Sequence, residues 1–363
     1  MMKTDFKKNL GAGWLYFYIH FITEVACFFV LSRAYGSSIY LWIVPLIYDA
    51  LAFVPQSVIG RLSDRFPKIS FGVIGAVLLA LGVAGCGTPI FPGKYTALAI
   101  LSIGNACTHI NGAEVTLRCS GGHLSHSAIF VGGGSFGVIC GKLLGETPLS
   151  FWFICIFALT MIPFVLLAET YRTQADAQNT SPCAAFDCHS KKIAPCAVII
   201  LAVLIVAVRG YMGYGIPTSW NKTAVQTVML YVTMGIGKLS GGILADIFGI
   251  KKVALFSAAA ALPFLFTGDN IMAVSLIGVM LFSMTMSVTL AILVSVLKNA
   301  PGLAFGLTTI GLFLGSVPIF FFKFTTVKAN CTVIAILTVF CLIAMQIIIR
   351  KDEKNVRLPL SGE

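Results

Sequence analysis

The sequence predicts an all-α polytopic membrane protein of twelve transmembrane helices in two six-helix bundles. Three observations carry this. Of the 363 residues, 58% are hydrophobic and 11% charged, where a soluble domain holds about 25% charged; mean hydropathy is +0.93. Apolar runs of about 20 residues, enough to cross a bilayer, follow one another along the whole chain. A short motif appears twice, from Gly60 to Lys68 and from Gly242 to Lys252, with the copies close to half the chain apart.

Charge, Gly and Pro punctuate the apolar runs. They place spans at about 11–32, 38–60, 69–87, 94–116, 127–145 and 149–168, then about 195–216, 223–244, 252–268, 271–297, 301–322 and 329–349. The domain reading follows: 1–168 an N-terminal bundle, 169–194 a linker too polar for lipid, 195–349 a C-terminal bundle, and 350–363 a tail. Lys3, Lys7 and Lys8 precede the first run as in a secretion signal. That run is long, holds Glu24 and lacks a small-residue cleavage site after it, so it reads as a retained span.

Basic residues set the orientation. With the N-terminus inside, the inner loops hold Arg61, Arg65, Lys68, Arg118, Arg172, Lys191, Lys192, Lys251, Lys252, Lys298 and the tail cations. The outer loops hold only Arg33, Lys94, Lys222, Lys323 and Lys328. Both termini and the linker are therefore expected in the cytoplasm, in a multi-pass protein of the cell membrane. These loops also account for the net charge of +11, so no nucleic-acid partner is expected. Trp14, Trp42, Trp152 and Trp220 lie near span ends, as interface anchors do. The 11 cysteines fall mostly singly inside apolar runs, where Cys is a small hydrophobe. Cys183, Cys188 and His189 cluster without a zinc-like spacing. No metal and no cofactor are expected.

The second motif, Gly242-x-Leu244-Ala245-Asp246-x-Phe248-Gly249-x-Lys251-Lys252, resembles the loop signature of the major facilitator superfamily, and Gly237-Lys238 resembles the pair that often precedes it. The first copy keeps Gly60, Leu62, Asp64, Arg65, Phe66 and Lys68, with Pro67 in place of the family's usual Gly. The resemblance implies that family's fold, alternating access, and a conformational latch at Gly60, Asp64, Arg65, Lys238, Gly242 and Asp246 that holds the outward-facing state. The altered first copy suggests unequal latches. A narrower resemblance, to fosmidomycin-resistance-like members, rests on Gly104-Asn105-Ala106-x-x-His109, Glu114, Ser120-Gly121-Gly122-His123 and Val131-Gly132-Gly133-Gly134. Gly133-x-x-x-Gly137-x-x-x-Gly141 is similar to the glycine signature of efflux transporters, although Val138 and Lys142 stand where that signature has Pro and Gly.

The residues themselves support a latch. Gly60 and Gly242 permit close helix approach, and Asp64 and Asp246 can accept backbone N–H groups or pair with a cation; the alternative is an ordinary polar turn. In the first span Tyr16, His20, Thr23, Glu24 and Cys27 share one helical face. A charge at mid-membrane costs about 2.5–3.5 kcal/mol on insertion scales, so Glu24 is a functional candidate. A carboxylate there can bind and release a proton near neutral pH. Glu24 with His20, and Asp49 in the second span, are the proton-coupling candidates; a structural hydrogen bond for Glu24 and a solvated acid for Asp49 are the alternatives. Tyr16, Asn105, His109 and Arg209 are the substrate-cavity candidates. Arg209 either faces Glu24, holds an anionic group bidentately, or extends to the surface. Glu114 and Arg118, four apart, read as a local ion pair. Gly133, Gly137 and Gly141 form a helix-packing face that could also serve as a sliding surface between the halves.

These readings converge on a secondary transporter, not an enzyme: no intramembrane nucleophile–base set, HExxH or GxxxxGK[ST] is present. Proton-coupled efflux (antiport) of a small organic molecule is expected, with proton-coupled uptake of an organic anion as the alternative. A non-transporting membrane receptor is the alternative of another class. The expected partners are a small-molecule substrate, protons and the lipid bilayer, with the protein acting as a monomer.

Overall fold

The structure is a computed structural model describing residues 2–36, 43–88, 93–178, 183–322 and 326–350, with 2–10 and 174–178 known by backbone alone. The expectations on Trp42, Lys323, the tail beyond Arg350 and the side chains of Lys3, Lys7 and Lys8 lie outside these residues. Among the described residues the regular elements are helices, and one isolated bridge joins His189 to Ile349. The first half holds α1 (Met2–Tyr35), α2 (Ile43–Phe53), α3 (Gln56–Arg65), α4 (Phe71–Gly87), α5 (Lys94–Arg118), α6 (Ser125–Gly145), α7 (Phe151–Leu159) and α8 (Met161–Gln178). The second holds α9 (Pro195–Gly215), α10 (Ala224–Phe248), α11 (Ile250–Thr267), α12 (Met272–Ser283), α13 (Met286–Val296), α14 (Pro301–Phe321) and α15 (Val327–Ile348).

Ten helical stretches among the described residues are long and apolar enough to cross a membrane. Three of them are broken helices: α2 with α3, α7 with α8, and α12 with α13. Pro55 breaks the first, since proline lacks an N–H and its ring crowds the carbonyl four residues back. Near the third break the Thr285 hydroxyl donates to the Phe282 carbonyl at 2.9 Å, competing with the backbone ladder. Two helices fall short of that measure: α4 has 17 residues, and α5 is diluted by Asn105, His109, Asn111, Glu114 and Arg118. Large apolar side chains such as Ile156, Val225, Phe256 and Phe322 are exposed on the outside, as lipid-facing residues are. Trp14 and Trp152 are exposed in the same way, whereas Trp220 is buried between α9 and α10.

Helix approach is set by glycine. A Cβ at Gly133, Gly137 or Gly141 would strike the carbonyls of Phe17, Phe21 or Val25, so α6 lies directly on the backbone of α1. This corrects the expected sliding surface: the glycine face meets α1 within the first half. The neighbouring stripe of α6 meets the second half instead, with Gly132 against Leu239 and Phe136 against Gly235. Gly249 ends α10 at φ 97°, a left-handed conformation open to glycine at little cost, and turns the chain into α11.

The polar segment begins as helix, because α8 runs to Gln178. Its later part is fastened beneath the second half. Arg350 Nη1 meets Asp187 Oδ2 at 2.6 Å, the Arg350 N–H donates to the Cys188 carbonyl at 2.8 Å, and the Ser190 N–H donates to the Ile348 carbonyl at 2.7 Å.

Candidate functional site

The spacing on α1 brings His20 and Glu24 to one side, and α5 supplies Asn105 and His109 opposite. Glu24 is 7% exposed. Its Oε1 lies 3.3 Å from His109 Nε2 and 3.6 Å from His20 Nε2, and accepts from Asn105 Nδ2 at 3.2 Å. The same Asn105 nitrogen reaches Tyr48 Oη at 2.9 Å and Cys27 Sγ at 3.5 Å.

Backbone carbonyls fix both imidazoles. His20 Nδ1 donates to the Phe130 carbonyl at 2.8 Å, and His109 Nδ1 donates to the Asn105 carbonyl at 3.0 Å. A carbonyl only accepts, so each Nδ1 carries the hydrogen. In the neutral rings each Nε2 then presents a lone pair to a carboxylate oxygen. Such a meeting of acceptors is suited to binding something positive. A proton is the simplest occupant. The three donor atoms also lie within 4.8 Å of one another, a set that a divalent cation can take. Sequence spacing gave no hint of this set, because two helices supply it. Gly134 makes room for it: any side chain there would collide with the His20 ring.

Aromatic rings close the cluster on the side of the second half. Phe305 on α14 stacks on His109 with centroids 6.5 Å apart and tilts against Phe130 at 6.0 Å. Phe305 also lines a small cavity between the halves with Val131, Arg209, Ser287, Thr289 and Leu290. Arg209 is buried there. Its Nη1 donates to Thr289 Oγ1 at 3.3 Å, and its Nε has no hydrogen-bond partner. Arg209 therefore neither pairs with Glu24 nor extends to the surface.

The other candidates are dispersed. Tyr16 is fully buried and donates to Asn111 Oδ1, away from the cluster; this corrects its assignment to the cavity, because a helical face is wide enough to meet two neighbours. Asp49 is buried rather than solvated and accepts from Tyr214 of the second half at 3.3 Å. Glu114 and Arg118 pair at 2.9 Å, and Ser63 donates to the same carboxylate.

The two motif acids do one job twice. Asp64 accepts the N–H groups of Gly302 and Leu303, both at 2.9 Å, at the start of α14. Asp246 accepts those of Leu124 at 2.8 Å and Ser125 at 2.9 Å, at the start of α6. Each acid thus caps a helix of the opposite half, where free N–H groups and the helix dipole favour a negative charge. Gly60 abuts Gly302, and Gly242 abuts Leu124 and Ala128. Pro67 lies beyond the cap and leaves the Asp64 geometry intact, and His123 Nδ1 lies 3.8 Å from Asp246 Oδ2. Arg65 is exposed over the Phe66 ring at 5.5 Å, and Lys238 is half-buried two turns before Asp246. Neither touches a capped helix end.

Sequence reasoning missed Tyr48, Phe130, Phe305, Thr289 and Tyr214. Aromatic and hydroxyl side chains in an apolar run carry no contrast, and the Phe130 contribution is a main-chain carbonyl.

No family model matches the chain. It is 25% identical over 249 residues to the fosmidomycin resistance protein of Escherichia coli, a match covering 61% of this chain and 60% of that protein. The chain thus matches about three fifths of that relative's length. Among solved structures, the human organic anion transporter TETRAN superposes with TM-score 0.63 at 13% identity, covering 94% of this chain and 99% of that one. A variant of the Escherichia coli fucose:proton symporter FucP gives 0.60 at 14% identity, covering 92% and 97%. FucP in its outward conformation gives 0.54 at 13% identity, covering 91% and 99%. The chain has the fold of the major facilitator superfamily, as the loop motifs implied.

Proposed function

We propose that the protein is a secondary active transporter that moves a small organic solute across the cell membrane by alternating access, as a proton-coupled efflux antiporter. The observation that carries this is the buried Glu24 carboxylate facing the Nε2 atoms of His20 and His109. Nothing in that arrangement serves packing better than an apolar residue would, and intramembrane ionisable groups mark proton and substrate paths. Likeness to the fosmidomycin resistance protein supports the outward direction.

In this reading α4 and α5 complete twelve spans, residues 1–168 and 195–349 form the two bundles, and the basic loops keep both termini and the linker in the cytoplasm. The Asp64 and Asp246 caps then close the cytoplasmic end and act as the latch. His20 and His109 pass the proton to and from Glu24, and Asn105 holds the carboxylate in place. The protein works as a monomer with the proton as coupling ion.

Uptake of an organic anion by proton symport is the second reading. Arg209, with its unpartnered Nε, favours an anionic substrate, and FucP, of the same fold, is a proton symporter.

Purified protein sealed into vesicles with a pH-sensitive dye tests both. Proton release against substrate entry marks antiport, and parallel movement marks symport. Glu24→Gln is expected to abolish proton movement while leaving substrate binding. A Glu24→Gln protein that still concentrates substrate on a proton gradient overturns the coupling role.

A further inference from the structure

We propose that the cavity beside Phe305 recognises a small organic anion carrying two negative charges, held between Arg209 and Lys238; this rests on the transport reading above. Arg209 reaches the cavity from α9 with its Nε unpartnered. Lys238 comes from α10, and helix geometry sets its direction. Gly237 and Gly241 of α10 abut Met280 and Met284, while Gly235 and Gly242 abut Phe136 and Ala128 of α6. At about 100° per residue, Lys238 falls in the arc between these two packed faces. That arc looks towards the space between α6 and α13, the helices that supply Val131, Ser287 and Leu290 to the cavity wall.

Among the described residues, no acid lies within ion-pair distance of either cation. Glu24 is engaged by His20, His109 and Asn105. Arg209, buried without a counter-charge, is costly, half-buried Lys238 adds a second positive charge, and an arriving anion relieves that cost. A single negative charge offsets one of the two cations; a double charge offsets both. The wall suits such a ligand. Ser287 Oγ has no partner and can donate to an oxygen-rich head group, while Phe305, Leu290 and Val131 accept an apolar body. Dicarboxylates and phosphate monoesters share this chemistry.

The test is calorimetric titration of the purified full-length chain with benzoate, phthalate and phenyl phosphate, at a pH where the last two carry two charges. At least one dianion is expected to bind about tenfold more tightly than benzoate, as a second charge-assisted contact provides. Which dianion does so assigns the carboxylate or the phosphate source. Lys238→Gln is expected to bring that ratio close to one and keep benzoate binding, Lys238→Arg to preserve the ratio, and Arg209→Gln to lose all three ligands. Equal affinities for all three ligands in the unaltered protein overturn the proposal, and so does an unchanged ratio in a folded Lys238→Gln protein. A ratio of one beside intact proton-driven flux removes the dianion site and leaves transport standing. The expected ratio in a protein without flux removes transport and leaves the site.

Discussion

At the scale of single residues, the candidate site is a buried carboxylate set between two imidazoles. Glu24 is contacted by two imidazoles whose other nitrogens are already committed to the Phe130 and Asn105 carbonyls. The three groups can therefore share protons with little rearrangement. Removing one ring tests the sharing. In His109→Gln the amide still packs under Phe305, but proton exchange with Glu24 loses a partner. We expect proton-driven transport to fall by about 10²–10⁴-fold, the usual range for losing a positioned proton-transfer group, with thermal stability little changed. Stopped-flow dye measurements on vesicles beside a melting curve check this. The sequence exposes Glu24, His109 and Arg209 because each is polar in an apolar run. It does not single out Lys238 for the cavity, since a basic residue near a span end has an ordinary explanation in reaching for the surface.

At the scale of elements, two kinds of contact hold the helices. One is the bare backbone contact of α1 with α6. Gly137→Val would drive a branched side chain into the Phe21 carbonyl and the Glu24 Cβ. Overpacking of this kind costs about 1–3 kcal/mol, and here it also displaces the carboxylate. A lower melting temperature together with lost proton coupling is expected. The other kind is the capped helix end. Two N–H groups meeting one carboxylate are charge-assisted bonds, each contributing about 1.5–3 kcal/mol. The motif pointed to these acids, and their spacing gave the repeat. It could not give the partners, because the starts of α6 and α14 are distant in sequence. Nor could it give the breaks at Thr285 and Thr160, where the sequence reads as continuous apolar helix.

At the scale of the whole molecule, residues 183–190 are pinned to the end of α15 by the Asp187–Arg350 pair and two backbone bonds. Burial pushes the Asp187 carboxyl up, but Lys191, Lys298 and Arg350 outweigh it and hold the group below the usual carboxylate range. A lowered folded value gives stability that is present above the unfolded value of about 3.9 and lost as pH falls below it. Protection factors across 183–190, taken relative to the intrinsic exchange rate at each pH, should therefore be high at neutral pH and fall on acidification below about pH 4. In Asp187→Asn protection should be low at every pH. Unchanged protection in that variant would show that backbone bonds to Ile348 and Arg350 suffice. The many-span, all-helical plan was legible in composition, and the fold in the repeated motif. The interior was not, because each polar contact there joins helices far apart in the chain.

The reciprocal capping has a consequence for how the population divides between conformers. Asp64 and Asp246 act at separate places with no shared partner, yet in the proposed alternating access parting the halves strips both helix ends together. Their effects should therefore multiply in the ratio of parted to joined molecules, as independent sites do in a two-state equilibrium. If Asp64→Asn and Asp246→Asn each cost the joined form about 1 kcal/mol, each shifts that ratio roughly fivefold and the double variant about twenty-five-fold. Single-molecule distance measurements across the two ends can count the conformers directly. A double variant no more shifted than either single one would mean that one end alone decides when the protein opens.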